Sequence, residues 1–267
     1  MAKIIAVTNQ KGGVGKTTTC VNLAASLAAM KRRVLLIDLD PQGNATTGSG
    51  FTKEELDTSV YDVLIGSHGV KDVMKQSMPG EYWVLPANGD LTGAEVVLLD
   101  LPSKETRLRA GLYEVDNDFD YILLDCPPAL NMLTVNALAA SQGVLIPVQC
   151  EYYALEGLTA LLQTIERITQ ALNPALEVEG ILRTMYDPRP SLTHDVSSQL
   201  HKHFGDKVYD TVIPRNIRLA ESPSYGLPVL HYEKQSRGAM AYLALASEFI
   251  RKICGVITFL HKQFNTN

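Results

Sequence analysis

The chain has 267 residues, of which 46% are hydrophobic, so it is long enough to bury a sizeable core. Its formal net charge of −5 excludes a globally basic surface, so any contact with nucleic acid must come from a local patch. The sequence shows no signal peptide, no apolar run as long as a membrane span and no Cys-x-x-Cys pair, which predicts a cytoplasmic protein with reduced thiols.

A glycine-rich stretch follows the first predicted strand (4–7) and opens a predicted helix from 17 to about 30. Its glycines let the backbone turn sharply and direct N–H groups at an anion, which the positive end of the helix dipole also favours. Lys16 adds a charge for the outer phosphates, and the Thr17 hydroxyl is placed to ligate Mg²⁺. The general phosphate-loop pattern would start with glycine at position 10, where this chain has Gln10 and carries an additional Lys11. The stretch predicts a nucleotide site, made by Gly12, Gly13, Val14, Gly15, Lys16, Thr17 and Thr18.

Carboxylates end two other predicted strands. Asp38 and Asp40 close an apolar run that begins at 33, and Asp125 closes the run at 121–124. Ligands of open α/β sheets bind outside the carboxyl ends of the strands, so these acids should face the glycine-rich stretch. Asp125 has the Walker B arrangement and is predicted to complete a Mg²⁺ shell through water, opposite Thr17. The segment after Asp125 ends at Asn131, a candidate sensor of the terminal phosphate.

Apolar strands alternate with helical patterns along the rest of the chain. This alternation predicts a doubly wound, mostly parallel α/β sheet with helices on both faces, formed by a single domain over 1–267. Residues 41–80 are predicted to be an irregular insertion near the active-site edge, and residues 256–267 a frayed tail. The remaining strands are predicted at 82–85, 144–148, 176–182 and 208–213, and the helices at 91–99, 103–114, 130–140, 153–172, 192–204 and 237–254.

The run Lys11-Gly-Gly-Val-Gly-Lys-Thr-Thr18 resembles the deviant Walker A signature of the ParA/MinD superfamily of P-loop ATPases. Residues 38–46, 121–128 and 213–229 extend the resemblance to the ParA-type partition proteins over nearly the whole chain. The resemblance implies that Lys11 reaches across a nucleotide-sandwich dimer to the partner's phosphates. It also implies that Asp40 positions the attacking water, whereas Asp38 either supports the loop or holds a metal-bound water.

The resemblance also assigns residues outside the phosphate site. Pro214 and Asn216, which follow the last predicted strand, would hold the adenine base. Arg189 and Arg218 match positions whose relatives bind DNA phosphates without sequence preference. Acidic residues are interleaved with both arginines, so the sequence by itself would describe them as surface ion-pair residues.

The function implied by this resemblance is that of a chromosome- or plasmid-partitioning ATPase. ATP and Mg²⁺ would bind between two subunits, and the resulting homodimer would bind non-specific double-stranded DNA, which places the protein at the nucleoid. Slow hydrolysis to ADP, stimulated by a ParB-type centromere-binding protein, would separate the subunits and release the DNA.

Two alternatives stay open at this point. A MinD-like ATPase would dock on membranes through a carboxy-terminal amphipathic helix, and an apolar stripe at helical spacing is present in the tail. The sequence favours a last helix packed on the sheet, because few basic residues accompany the stripe and Gly255 weakens the helix. The stripe consists of Phe249, Ile253, Ile257, Leu260 and Phe264.

The second alternative is a metal- or iron–sulfur-dependent reductase, which would need paired cysteines. Cys126 follows Asp125, but no second cysteine lies in a glycine-rich loop.

Overall fold

The computed structural model describes residues 1–264, with side chains described for residues 1–253. Within these residues one sheet of eight strands has the order β3-β4-β2-β5-β1-β6-β7-β8. Its strands are β1 (Lys3–Val7), β2 (Val34–Asp38), β3 (Lys75–Ser77), β4 (Tyr82–Leu85), β5 (Tyr121–Asp125), β6 (Gly143–Gln149), β7 (Glu177–Tyr186) and β8 (Val208–Pro214). Neighbouring strands are parallel except for the antiparallel edge pair β3 and β4, so the predicted doubly wound, mostly parallel architecture is confirmed.

Helices follow most strands and cover both faces of the sheet. Short 3₁₀ helices occur at Lys53–Glu55, Gly89–Gly93, Lys104–Thr106, Gly205–Lys207 and Ser222–Tyr225. The α-helices of the described residues are α1 (Lys16–Ala29), α2 (Asn44–Gly48), α3 (Val60–Ile65), α4 (Val70–Val73), α5 (Ala94–Leu99), α6 (Arg107–Leu112), α7 (Met132–Ala140), α8 (Ala154–Ala171), α9 (Ser191–Phe204), α10 (Ile217–Glu221), α11 (Val229–Tyr232) and α12 (Arg237–Phe264).

The hydrophobic core has two layers, one on each face of the sheet. Successive side chains of β1 alternate between them: Ile4 belongs to the layer that contains helices α3 to α9, and Ile5 belongs to the layer that contains α1 and α12. The central strands β2 and β5 are buried at every position, as expected for parallel strands covered on both faces. This burial fixes the carboxyl ends of β1, β2 and β5 side by side, where the candidate site lies.

The region 41–80 consists of short helices and the edge strand β3, and helix α2 begins beside the candidate site. Only its first part, the turn after β2 and helix α2, lies beside the candidate site. Helix α3 instead packs into the core through Val60, Val63 and Leu64, and a capping box of Ser59 and Asp62 starts it. The edge strand β3 was missed because three residues with two exposed side chains carry no apolar alternation.

The last helix, α12, continues to Phe264, past the end predicted at 254, and the frayed tail at 256–267 stays a prediction. A single glycine inside a helix costs about 1 kcal/mol, which is too little to end a helix at Gly255. Phe249 and Ile253, two members of the proposed membrane stripe, are buried in the core. The side chains of the other stripe residues and the tail beyond Phe264 lie outside the described residues. None of the described helices is both long enough and apolar enough to cross a membrane.

Candidate functional site

A cavity of about 430 Å³ opens at the carboxyl ends of the central strands. The glycine-rich stretch forms its floor, and the segments after β2 and β8 form two of its walls. The structure therefore brings together residues from both ends of the sequence, from Gly12 to Tyr242. The cavity is lined by Gly12, Gly13, Gly15, Lys16, Thr17, Thr18, Asp40, Asn44, Pro128, Thr184, Met185, Ile213, Pro214, Arg215, Asn216, Leu219, Ala220 and Tyr242.

The glycine-rich stretch is held in a conformation that glycine alone adopts readily. Gly13 and Gly15 have φ of 72° and 88°, and the space in front of Gly12 and Gly13 is open, with no atom within 4 Å of the point where a Cβ would stand. Val14 does not line the cavity; its carbonyl oxygen accepts a hydrogen bond from the Thr184 hydroxyl at 2.7 Å. This contact with β7 fixes the turn so that the backbone amides on either side can face an anion.

Lys16 lies at the floor of the cavity. Its side chain is largely buried, and Nζ donates a hydrogen bond to the Lys11 carbonyl oxygen at 3.1 Å. Burial lowers the pKa of Lys16, and the negative charge of Asp125 opposes that shift. The result is a poorly solvated ammonium group at the point where an anionic ligand would enter.

Asp125 and Thr17 fit the predicted metal site. Asp125 is fully buried, and its Oδ2 accepts no hydrogen bond among the described residues. Burial and the nearby charge of Asp38 raise the pKa of Asp125 well above its usual range, while the Thr17 side chain favours the charged form. An unpaired buried carboxylate oxygen is costly, and a hydrated Mg²⁺ would supply the missing partner. In the described part of the chain no three His, Cys, Asp or Glu side chains converge to hold a metal alone, so such an ion would also need ligand oxygens.

The two carboxylates after β2 have different environments. Asp40 lines the cavity, and its Oδ1 accepts the Gln42 N–H at 3.0 Å. Asp38 lies outside the cavity lining, and both its oxygens accept hydrogen bonds from Asp40 and Thr46. Burial raises the pKa of Asp38 to about 6, against the lowering effect of these hydrogen bonds. Of the two roles left open for Asp38, these contacts favour loop support.

Lys11 does not line the cavity of its own chain. Its Nζ lies 2.6 Å from Glu151 Oε2, in the segment after β6, and about two-fifths of the Lys11 side chain is exposed. Asn9 holds the backbone at this point, because its Oδ1 accepts the Lys11 N–H and its Nδ2 donates to the Pro147 carbonyl oxygen. Lys11 is therefore directed outward, at the same edge of the sheet as the cavity.

Pro214 and Asn216 line the cavity at the end of β8 and the start of α10. Asn216 caps α10, since its Oδ1 accepts the N–H groups of Arg218 and Leu219 at 3.0 and 3.3 Å. Met185 and Arg215, which sequence reasoning missed, share this part of the lining. Met185 has φ of 46°, a strained conformation for a residue with a side chain, and strand signals give no indication of it.

Arg189 and Arg218 lie outside the cavity lining, on separate segments. Arg189 is exposed and pairs with Asp187 at 2.6 Å, and this pairing lowers the pKa of Asp187 to about 2. Arg218 pairs with Glu221 at 2.8 Å on α10. Each arginine therefore has an acidic neighbour, as their sequence surroundings suggested.

Asn131, the candidate sensor of the terminal phosphate, caps helix α7 and lies outside the cavity lining. Its Oδ1 caps α7 by accepting the Thr134 N–H at 3.1 Å, and its amide donates to Glu95 on α5. The same segment contributes Pro128, rather than Asn131, to the cavity. A polar residue shortly after a proline pair is as typical of a helix cap as of a ligand contact.

Comparison with known proteins places this architecture in a family. A family model described as an AAA domain matches residues 2–178. The sporulation initiation inhibitor protein Soj of Bacillus subtilis is 53% identical over 248 residues, which cover 93% of this chain and 98% of that protein. The chromosome partitioning protein ParA of Caulobacter vibrioides is 51% identical over 253 residues, 94% of each chain.

The solved structures contain the same fold. The crystal structure of cobyrinic acid a,c-diamide synthase from Mycobacterium smegmatis with bound ADP and magnesium has a TM-score of 0.83 and 38% identity. The match covers 94% of this chain and 95% of that one. Because the partition proteins match at half of all positions along nearly their entire length, this chain belongs to the ParA/Soj family of chromosome-partitioning ATPases.

Proposed function

We propose that this protein binds and hydrolyses ATP with Mg²⁺ in the 430 Å³ cavity and uses that cycle to partition DNA. The observation that carries the proposal is the convergence in one cavity of the glycine-rich stretch, Asp40 and the Pro214–Asn216 wall. The higher identity to Soj and ParA than to the cobyrinic acid synthase favours partition over amide synthesis.

Each residue has a defined part in this proposal. The amides around Gly12 to Gly15 and the ammonium group of Lys16 bind the phosphates. Asp125 and Thr17 hold the Mg²⁺ shell, in which the ion would neutralise phosphate charge. Asp40 orients the attacking water rather than removing a full proton, because an ordinary carboxylate is a weak base at neutral pH. Pro214 and Asn216 hold the base.

Lys11 gives the site its dependence on a second subunit. In one chain its ammonium group pairs with Glu151 outside the cavity, and the partly exposed Lys11 side chain is accessible to a second subunit. In the proposed sandwich homodimer Lys11 binds the phosphates of the other subunit instead. The ATP-bound dimer is then more stable than the ADP-bound dimer, because the terminal phosphate adds charge at that contact.

DNA binding follows from the dimer in the same proposal. Arg189 and Arg218 contact DNA phosphates, and dimerisation doubles the number of such contacts. Their pairs with Asp187 and Glu221 are exposed and therefore weak, so a phosphate can replace the carboxylate. A ParB-type protein would stimulate hydrolysis, and loss of the terminal phosphate would return the subunits and DNA to solution.

The experiment compares the molar mass of four proteins by light scattering, the unmodified chain and three variants, each with ATP and with ADP. We expect the Asp40→Ala protein to be a dimer with ATP and a monomer with ADP. Lys11→Ala in the same background should bind ATP and stay monomeric, whereas the control Lys202→Ala, a surface lysine on α9, should dimerise. Dimerisation of the Lys11→Ala protein at unchanged strength would contradict the role of Lys11 across the interface.

A further inference from the structure

A buried carboxylate holds both ends of the loop that carries Asp40, residues 40–46. Asp38 Oδ1 accepts the Asp40 N–H at 3.1 Å. Its Oδ2 accepts the Thr46 N–H at 2.8 Å and the Thr46 hydroxyl at 2.7 Å. Asp38 ends β2 and is fully buried, so these bonds form away from water. A carboxylate that receives three hydrogen bonds in such a place is a firm attachment point.

Thr46 extends the attachment to a second strand. Its hydroxyl also accepts the N–H of Ala87, two residues after β4, at 2.9 Å. The 40–46 loop is therefore fixed to β2 through Asp38 and to the chain after β4 through Thr46. The Thr46 side chain is fully buried, and its hydroxyl donates one hydrogen bond and accepts another.

The residues of the loop that line the cavity are different from the residues that attach the loop to the sheet. Asp40 and Asn44 line the cavity, and Asp38 and Thr46 do not. The turn between them depends on Gly43, which has φ of 62° and donates its N–H to the Asp40 carbonyl at 2.8 Å. A change at the buried attachment would therefore move Asp40 without removing any group that faces the cavity.

We propose that Asp38 and Thr46 are positioning residues for hydrolysis, which set where the Asp40 carboxylate lies relative to the glycine-rich stretch. This inference rests on the proposed ATPase function and assigns residues that act through Asp40. The attachment determines the rate of the chemical step rather than the affinity for nucleotide, because the phosphate and metal groups belong to other segments. A displacement of about 1 Å at a reacting group can cost about 10²-fold in rate.

The test uses Thr46→Val, which keeps the side-chain shape and removes the hydroxyl, and Thr46→Ser, which restores the hydroxyl. The matched control is Thr164→Val on α8, another buried threonine whose hydroxyl donates to a backbone carbonyl. For each protein we would measure ATP affinity, the single-turnover hydrolysis rate and the thermal midpoint. We expect Thr46→Val to lower the rate by about 10²-fold with unchanged ATP affinity. Thr46→Ser and Thr164→Val should keep the rate.

A double-mutant cycle separates positioning from a general structural defect. If Thr46 acts through Asp40, Thr46→Val should not lower the residual rate of the Asp40→Ala protein further. An equal further loss in that background, a matching loss of ATP affinity, or a normal rate for Thr46→Val would overturn the inference. Asp38→Asn, in which one accepting oxygen becomes a donor at constant volume, should likewise lower the rate, so the result does not depend on one variant.

Failure of the ATPase proposal has a different signature. In that case the unmodified protein would not hydrolyse ATP, or Asp40→Ala would hydrolyse it at the normal rate. Loss of turnover in Asp40→Ala together with normal turnover in Thr46→Val would refute only the positioning role.

Discussion

Lys16 is buried and has acidic side chains near its ammonium group. Its ammonium group donates to the Lys11 carbonyl oxygen, and the acidic Asp125 and Asp40 lie close enough to oppose the lowering of its pKa by burial. A charged group with so little water around it gains more from a phosphate oxygen than a surface lysine does, because the effective dielectric is low. The lysine is therefore the residue on which nucleotide affinity should depend most.

Lys16→Ala should weaken ATP binding by about 10- to 100-fold, the equivalent of one charge-assisted hydrogen bond lost. The measurement is titration calorimetry with Mg-ATP, using Lys202→Ala as the control for a lost surface charge. If Lys16→Ala keeps the affinity of the unmodified protein, the glycine-rich stretch is not the phosphate site.

Asn216 has two roles at the start of α10, as a helix cap and as part of the cavity lining, and substitutions can separate them. Its Oδ1 caps the helix, and the residue also lines the cavity. Asn216→Ala should lower the free energy of unfolding by about 1 kcal/mol through loss of the cap, whereas Asn216→Ser should retain most of it. Both variants should weaken ATP binding, because serine does not extend as far toward a base. Normal ATP affinity in Asn216→Ser would show that Asn216 acts only as a cap.

A substitution in the cap of helix α3 should change the stability of the protein without affecting the candidate site. Ser59 and Asp62 form its capping box, and its apolar face packs in the core. Ser59→Ala should lower the free energy of unfolding by about 1 kcal/mol in urea denaturation and leave the hydrolysis rate unchanged. A parallel loss of hydrolysis would mean that the second half of region 41–80 is coupled to the site after all.

The elements that sequence reasoning could predict are those with a repeated local signal. Continuous apolar runs located the central strands, and the same runs placed Asp38, Asp40 and Asp125 at one edge of the sheet. Glycines in the 11–18 stretch identified the turn because only that residue type adopts the observed φ without strain.

The features that escaped prediction depend on contacts between distant segments. The hydrogen bonds of Thr46 with Asp38 and Ala87, and of Thr184 with the Val14 carbonyl, join residues up to 170 positions apart. Local sequence around Thr46 or Thr184 contains no sign of these partners. Edge strand β3 and the end of α12 were misjudged for the opposite reason, because their local signals are weak.

At the scale of the whole molecule, Glu151 and a phosphate of the second subunit compete for the ammonium group of Lys11. Both side chains are partly exposed, so the pair contributes at most about 1 kcal/mol, and a phosphate in a dimer can replace it. Glu151→Gln should therefore strengthen ATP-dependent dimerisation by up to about fivefold, as measured by analytical ultracentrifugation at low salt. The control is Glu156→Gln on α8. Weaker dimerisation in Glu151→Gln would instead indicate that Glu151 stabilises the dimer.

The most direct test of the account is retention of the Asp40→Ala protein on random duplex DNA and on anionic liposomes, each with ATP and with ADP. We predict retention on DNA with ATP alone, lost on Arg218→Glu substitution while the dimer persists, and no retention on liposomes. Retention on liposomes without DNA binding would contradict the partition account, move the function to the carboxy-terminal helix and leave Arg189 and Arg218 as ordinary surface residues.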